Sequence, residues 1–468
     1  MTSDFNQRLL PMMTALVLAC WVFITIVSRQ PSHLAVFHFL TAATIMLLAT
    51  ALVVWHYYKY SKPIPFRWIV ITGISLRVIS LFGIPLFEDD YYRYMWDGFQ
   101  TITTNDPYTL APAVFFERED YPEAFDSVLS LINYPEIATV YGPVTQWVFA
   151  LGYLIRPAVI WPLQLTAGVA DIFVIILLYK LGAGRALLFY AWSPLVLKEF
   201  SLTAHPDIYA ILAMVLGIYL VKKNYIWQAG IALALGVGAK VFAILALPYL
   251  LSQRWSLRYW STLCGWFLAT IALITLAFGT TTIWTPEGLQ AMADSWLFNS
   301  AVYLLLLEVL SFKAIKMLLL SVFTAYVLFT CLSRLKRARH ESLLGDKQIQ
   351  ADQIQDNQLS TLWPNSRDSF RGDWLFMIFL MALPVVNAWY VVWLLPFATL
   401  YPRWWSWGMS YFCLLSYFTG TNLGDTDQGS LNLPTSIVAT EYLAVIGLVV
   451  LAMIVSRSHP RYREFARM

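Results

Sequence analysis

The sequence predicts an all-α polytopic membrane protein, and three observations predict it. The chain of 468 residues is 59% hydrophobic and only 13% charged, where a soluble domain holds about 45–50% apolar and about 25% charged residues. Its apolar residues come in long runs, not in the two-residue alternation of a membrane barrel, and in lipid only a helix satisfies its own backbone within one such run. Lys and Arg gather in alternate connections between the runs, as expected of a chain that crosses a bilayer repeatedly. The mean hydropathy is +0.61. A net charge of +3, from 31 Lys+Arg against 28 Asp+Glu, creates no global field for a polyanion. A soluble enzyme, a disordered scaffold and a nucleic-acid binder are thereby excluded.

In chain order, apolar runs begin near Leu9, Leu34, Trp68, Tyr141, Trp161, Ala186, Thr203, Ile226, Trp260, Ala314, Trp374, Trp389, Trp404 and Ser436. At roughly 20 residues per span they predict about 12 to 14 transmembrane helices. The run from Leu9 to Val27 is too long for the apolar core of a cleaved signal and lacks a small-residue cleavage site. Gly236, Gly238 and Lys240 interrupt Ile226–Leu251, and Pro384 and Asn387 interrupt Trp374–Leu400. Tyr141–Ile155 is short. Cys20, Cys264, Cys331 and Cys413 all fall inside apolar runs and read as small core residues, without ligand spacing.

The basic connections are Lys59/Lys62/Arg67, Lys222/Lys223, Arg254/Arg258, Arg334–Arg339 and the tail Arg457–Arg467. They place both termini in the cytoplasm and the loop Glu88–Val140 outside. Four apolar runs separate that loop from Lys222/Lys223, where parity demands an odd number. One of Tyr141–Ile155, Ala186–Phe200 or Thr203–Leu220 therefore does not cross. Arg334–Arg371 is polar, lacks apolar periodicity and reads as a flexible cytoplasmic insert.

Glu88–Val140 carries eleven carboxylates against two arginines, Arg93 and Arg118. A loop of this length is functional or has structure of its own. In Phe87-Glu-Asp-Asp-Tyr-Tyr-Arg-Tyr-Met-Trp-Asp-Gly98 a helix would place Asp90, Arg93, Tyr94 and Asp97 on one face. A carboxylate there can take a proton from a hydroxyl, and an arginine can hold a phosphate. The plainer alternative is a solvated interfacial helix with an Asp90–Arg93 pair. Asn105-Asp-Pro-Tyr-Thr-Leu-Ala-Pro112 marks a turn with Tyr108 at headgroup level. Asn133-Tyr-Pro-Glu-Ile-Ala-Thr-Val-Tyr-Gly-Pro-Val-Thr-Gln146 re-enters the membrane, with Gln146 in position for a buried hydrogen bond.

Together, Asp-x-Tyr-Arg-Tyr-x-Trp-Asp-Gly, Asn-x-Pro-Tyr, Ala-Pro and Asn-x-Pro-x-x-x-Thr-x-Tyr-x-Pro-x-x-Gln resemble the GT-C superfamily of integral-membrane glycosyltransferases. The nearest likeness is to bacterial polyprenol-phosphate-mannose-dependent mannosyltransferases. The resemblance implies a catalytic or substrate-binding acid in the first large outward loop, matching Asp90 with Asp89 beside it. Trp192-Ser-Pro-Leu-Val-Leu-Lys-Glu199 with His205-Pro-Asp207, Lys240 in a Gly/Ala-rich helix, and Asn387-Ala-Trp-Tyr-Val-Val-Trp-Leu-Leu-Pro396 are similar to later family elements. Ala388 stands where that last pattern has Pro, and three spans precede the loop where some members have one. The likeness covers about Phe87 to Pro396.

Read on their own, Lys198, Glu199, His205 and Asp207 are ionisable groups at the edge of an apolar run, either functional or pairs reaching for the interface. Lys240 either caps the carbonyls of a broken helix or contacts a phosphate. Trp389, Tyr390 and Trp393 form an aromatic belt or stack on sugars.

The organisation implied is N-terminal membrane helices over 1–86, an extracytoplasmic catalytic loop over 87–140, central helices over 141–333, a cytoplasmic insert over 334–373 and C-terminal helices with a basic tail over 374–468. The expected function is transfer of a hexose, mannose by resemblance, from a polyprenyl-phosphate donor to a glycan or glycolipid hydroxyl, with inversion, in a bacterial inner membrane. Nucleotide sugars are absent outside the cytoplasm, so an outward-facing transferase needs a lipid-linked donor. Asp90 and Asp89 are the expected catalytic acids. Arg93, Tyr94, Asp97, Asn105, Tyr108, Tyr141, Gln146, Glu199, His205, Asp207, Lys240, Trp389 and Tyr390 are expected to bind substrate. Asp89, Asp90 and Asp207 are hard ligands suited to magnesium or manganese, but no spacing signature assigns a metal. The rival is a transporter or lipid flippase, whose internal repeats are not evident.

Overall fold

The computed structural model describes residues 2–118, 120–279, 282–284, 296–344, 371–419 and 433–458. Expectations for the rest of the polar insert, the basic tail beyond 458, and parts of the loops after residues 279 and 419 lie outside these. Among the described residues there is no β-strand. One isolated bridge pairs Phe298 with Val385.

Three helices open the chain: α1 (Thr2–Val27), α2 (Ser32–Lys59) and α3 (Phe66–Ser80). The polar segment follows, with α4 (Asp90–Thr104), two 3₁₀ turns (Pro112–Phe115 and Glu123–Phe125) and α5 (Asp126–Leu129). Then come α6 (Pro143–Ile155) and α7 (Trp161–Leu181). The next stretch is broken into α8 (Leu187–Ala191), α9 (Pro194–Val196) and a π-helix (Leu197–Leu202) before α10 (Asp207–Lys222). The chain continues through α11 (Ile226–Ala239), α12 (Ala246–Leu251), α13 (Leu257–Phe278), α14 (Ala301–Leu306) and α15 (Phe312–Leu344). It ends with α16 (Gly372–Ala382), α17 (Ala388–Val391), α18 (Leu395–Leu400), α19 (Trp404–Phe412) and α20 (Thr435–Ser458).

Six helices among the described residues are long and apolar enough to span a bilayer, within α1, α2, α7, α13, α15 and α20. A seventh candidate is the pair Pro194–Leu202 and Asp207–Lys222, bent by 112°. This is fewer full-length spans than the 12 to 14 apolar runs predict, because several runs are cut into short pieces. Pro194 and Pro206 flank one break, and Pro384 and Pro396 punctuate another. The Ala186–Phe200 run is the most fragmented of the three that parity singled out. The Ile226–Leu251 run breaks at Lys240, which has extended backbone (φ −152°), while Gly236 and Gly238 remain helical. The first residues of the polar insert are helical. Arg334–Leu344 continue α15 on good helix formers, and Arg334 and Arg339 lie over the Tyr249 and Trp255 rings.

Helices α13, α15 and α20 present bare apolar faces, with Leu276, Phe329 and Leu443 exposed, as a lipid-facing surface requires. Inside, α3, α7 and α8 are tied by a fully bonded ion pair. Arg77 meets Asp171 at 2.6 and 3.0 Å and the Ala191 carbonyl at 2.7 Å, and the Tyr190 hydroxyl donates to Asp171 at 2.8 Å. Removing one partner of such a buried pair costs about 3–5 kcal/mol.

The polar segment after α3 packs a small core of its own. The Trp96 side chain is fully buried among Phe99, Phe115, Tyr121 and Phe125, each such aromatic pair adding about 0.5–1.5 kcal/mol. Gly98 lets α4 press onto α6: a Cβ there would lie 2.4 Å from the Phe149 carbonyl oxygen. Helix α6 starts on Gly142 and Pro143, the favoured position for proline.

Candidate active site

Phe87, at the end of the link from α3, adopts a left-handed backbone (φ 64°), a conformation that is unfavourable for a bulky side chain. The turn delivers Glu88, Asp89 and Asp90 in succession to one cleft of about 480 Å³. Asp89 is the N-cap residue of α4 and Asp90 lies in its first turn, where the helix dipole favours a negative charge. The other walls come from the 133–141 segment, Trp296 and Phe298, the 387–389 turn and the 416–419 segment.

Each carboxylate is held differently. Asp90 accepts from the Tyr141 hydroxyl at 3.1 Å. Asp89 accepts from the Asn133 amide. Burial, and then the charge of Asp90, raise the Asp89 carboxyl to about 6. Because that value lies above the ordinary one, ionising Asp89 works against the fold as pH rises through about 6. Burial likewise pushes the Glu88 carboxyl up, with Lys198 opposing.

Two helical turns further along α4, Asp97 is fully buried. It accepts from Arg93 Nε at 2.8 Å, from Gln146 Nε2 at 3.0 Å and from Thr139. Arg93 Nη2 also donates to the Ile137 carbonyl at 2.7 Å, and the Tyr108 hydroxyl donates to the Tyr141 carbonyl at 2.9 Å. These bonds fasten the returning segment to α4 and so hold Tyr141 against Asp90.

A cluster of ionisable groups stands behind Tyr141. Lys240 Nζ lies 3.1 Å from Asp207 Oδ2 and 2.7 Å separates that oxygen from His205 Nδ1, while Trp393 Nε1 donates to Asp207 Oδ1 at 2.5 Å. The ammonium faces the Tyr141 and Tyr390 rings at 5.8 and 6.0 Å. Trp389, on the cleft wall, lies over His205 with ring centroids 5.0 Å apart. Ala204, in a left-handed turn (φ 61°), sets the break that presents His205 and Asp207. Gly142 permits the contact with the end of α11, since a Cβ there would come within 2.3 Å of the Gly238 carbonyl oxygen.

Of the residues singled out in the sequence, Asp89, Asp90, Arg93, Tyr141 and Trp389 line the cleft. Tyr94, His205, Asp207, Lys240 and Tyr390 form the layer behind it. Asp97, Tyr108 and Gln146 serve as ties within the segment. Asn105 lies apart, as the left-handed C-cap of α4 donating to the Ala277 carbonyl at 3.3 Å. Glu199 sits on the π-helix with Lys198, accepting from the Tyr417 hydroxyl; π-turns are frequent at functional sites. Glu88, Asn133, Trp296 and Tyr417 also line the cleft. Asn133 was visible as the start of the Asn-x-Pro motif, and Glu88 as the neighbour of the acid pair. Trp296 and Tyr417 gave no local signal. Among the described residues no group of three or more His, Cys, Asp or Glu is arranged to hold a metal ion.

A cleft that joins an acid pair at the start of α4, aromatic walls and an adjacent cation suits transfer of a polar, ring-shaped group from an anionic leaving group. No curated protein and no solved structure matches the chain. The sequence model for the alpha-(1->6)-mannopyranosyltransferase N-terminal domain, of the MptA/B family, matches residues 10–255. That match takes in more than half of the chain, with Glu88, Asp89, Asp90, Tyr141 and Lys240 inside it, so the protein belongs to the alpha-(1->6)-mannopyranosyltransferase family and is a membrane-embedded glycosyltransferase acting with mannose.

Proposed function

We propose that this mannosyltransferase takes its sugar from a polyprenyl-phosphate mannose and passes it, with inversion, to a hydroxyl of a glycan or glycolipid on the extracytoplasmic face of a bacterial plasma membrane. The observation that carries the proposal is the seat of Asp90. Its carboxylate enters the cleft from the first turn of α4, is oriented by the Tyr141 hydroxyl, and has the Lys240 ammonium just behind that tyrosine.

In the proposed step Asp90 accepts the proton of the acceptor hydroxyl as its oxygen forms a bond to the anomeric carbon. The bond from that carbon to the phosphate oxygen breaks, and its electron pair leaves with the polyprenyl phosphate. Lys240 stabilises the developing phosphate charge. Its side chain keeps 24% exposure, and the neighbouring Val241 is exposed, so a lipid phosphate can reach it along an apolar flank.

The sidedness rests on the Lys/Arg asymmetry. Single cysteines at Glu123, exposed in the segment after α4, and at Gln353, in the polar insert, are expected to react oppositely with an impermeant maleimide on intact cells. Labelling at Glu123→Cys alone supports the orientation. Labelling at Gln353→Cys alone, or at both equally, contradicts it and removes the need for a lipid-linked donor.

A further inference from the structure

Glu88 lines the cleft, yet its side chain is only 5% exposed, and neither carboxyl oxygen has a hydrogen-bond partner. Its neighbouring cation, Lys198, is 3.7 Å away, beyond hydrogen-bond reach. Lys198 is otherwise engaged. It contacts both Glu199 oxygens at 3.2 Å, and its ammonium lies 4.5 Å over the Tyr417 ring. The Tyr417 hydroxyl donates to Glu199 as well. Two carboxyl groups thus compete for one ammonium, and Glu199 has it.

A buried polar group left unsatisfied in a folded protein calls for an explanation. Both oxygens are enclosed, and Glu88 is one of the residues lining the cleft, so what the cleft holds is the candidate partner. What completes it must offer hydrogen bonds at close quarters to a carboxyl group that already adjoins Asp89 and Asp90. A phosphate is repelled there, whereas hydroxyl groups bond to a carboxyl in either protonation state. The two oxygens of one carboxyl match two neighbouring hydroxyls of a pyranose. Tyr417 and Trp389 beside it on the cleft wall supply rings against which the apolar face of a sugar packs.

We infer that Glu88 reads ring hydroxyls of the hexose held in this cleft and thereby sets which sugar the enzyme accepts. The inference rests on the transferase reading above and assigns the sugar to the Glu88 side of Asp90, the phosphate to the Lys240 side. Because Glu88 touches the sugar and not the reacting bond, its substitution alters selection among sugars, where loss of Asp90 alters turnover.

The test is saturation-transfer NMR on the purified full chain in detergent, titrating methyl α-mannopyranoside and each of its monodeoxy analogues. Wild-type protein is expected to bind at least one analogue about threefold to tenfold more weakly than the parent, the range for one neutral hydrogen bond. Glu88→Ala is expected to weaken the parent by the same factor and to bind that analogue as well as the parent. Glu88→Gln, which keeps the shape, is expected to fall between. If both variants bind the parent as wild type does, or keep the wild-type ranking of analogues, the assignment is overturned. Intact mannosyl transfer together with an unchanged ranking counts against Glu88 alone. A Glu88-dependent ranking in a protein that transfers nothing from a lipid donor counts against the donor reading and supports Glu88.

Discussion

Asp90→Asn is expected to lower mannosyl transfer by about 10²–10⁴-fold, the usual consequence of losing a general base, while the protein stays folded and membrane-inserted. Asparagine keeps the size of the side chain and can still accept from Tyr141, but it cannot take the hydroxyl proton. Asp89→Asn is expected to be milder, because Asp89 stands at the N-cap position of α4 and accepts from Asn133. The pair also predicts a pH dependence. Burial and the charge of Asp90 hold the Asp89 carboxyl at about 6, so Asp89 is protonated below that pH and adds its charge beside the base above it. Transfer by wild-type protein should rise through about pH 6, and Asp89→Asn should lose that limb. The check is turnover of purified, monodisperse variants matched for thermal stability. Retention of more than about a tenth of wild-type turnover by Asp90→Asn would falsify its role as base, since a lost base costs at least a hundredfold. A dead Asp89→Asn beside an active Asp90→Asn would move the role by one residue.

Lys240→Ala is expected to raise the KM for the lipid donor by about tenfold to a hundredfold, the scale of one charge-assisted hydrogen bond, with little change in the KM for the acceptor. Lys240→Arg should recover part of the loss, because it restores the charge beside Asp207. Arg93, His205 and Lys240, the three basic side chains expected to bind substrate, are not equivalent in the structure. Arg93 is committed to Asp97 and the Ile137 carbonyl, so its removal strands a buried carboxylate and should reduce stability more than donor binding. His205 is packed between Trp389 and Asp207. Lys240 alone of the three keeps substantial exposure. Unchanged donor kinetics on substituting all three would place the phosphate elsewhere.

The all-α membrane class was legible because composition and run length are global properties that no local break erases. The number of full-length helices was not legible. A proline or a π-turn inside an apolar run changes hydropathy hardly at all, yet it cuts Pro194–Lys222 into two pieces at 112°. The acid pair was legible through its spacing in Asp-x-Tyr-Arg-Tyr, and α4 does begin at Asp90. Helical spacing failed to separate Asp90 from Asp97. Both fall on one face by count, but Asp97 lies two turns in, under the returning segment, and is saturated by Arg93, Thr139 and Gln146. Tyr417 and Trp296 reach the cleft only through tertiary packing, with no mark in the local sequence. Lys198 and Glu199 were visible as charges in an apolar run, but their link to Glu88 spans more than a hundred residues.

The sugar donor is the decisive point. Purified protein in lipid nanodiscs, given a glycolipid acceptor and either radiolabelled polyprenyl-phosphate mannose or radiolabelled GDP-mannose, reports it directly. Label passing to acceptor from the lipid donor alone, and ceasing in Asp90→Asn, is the predicted result. Label passing from the nucleotide sugar, or from the lipid donor at the same rate in Asp90→Asn, contradicts it.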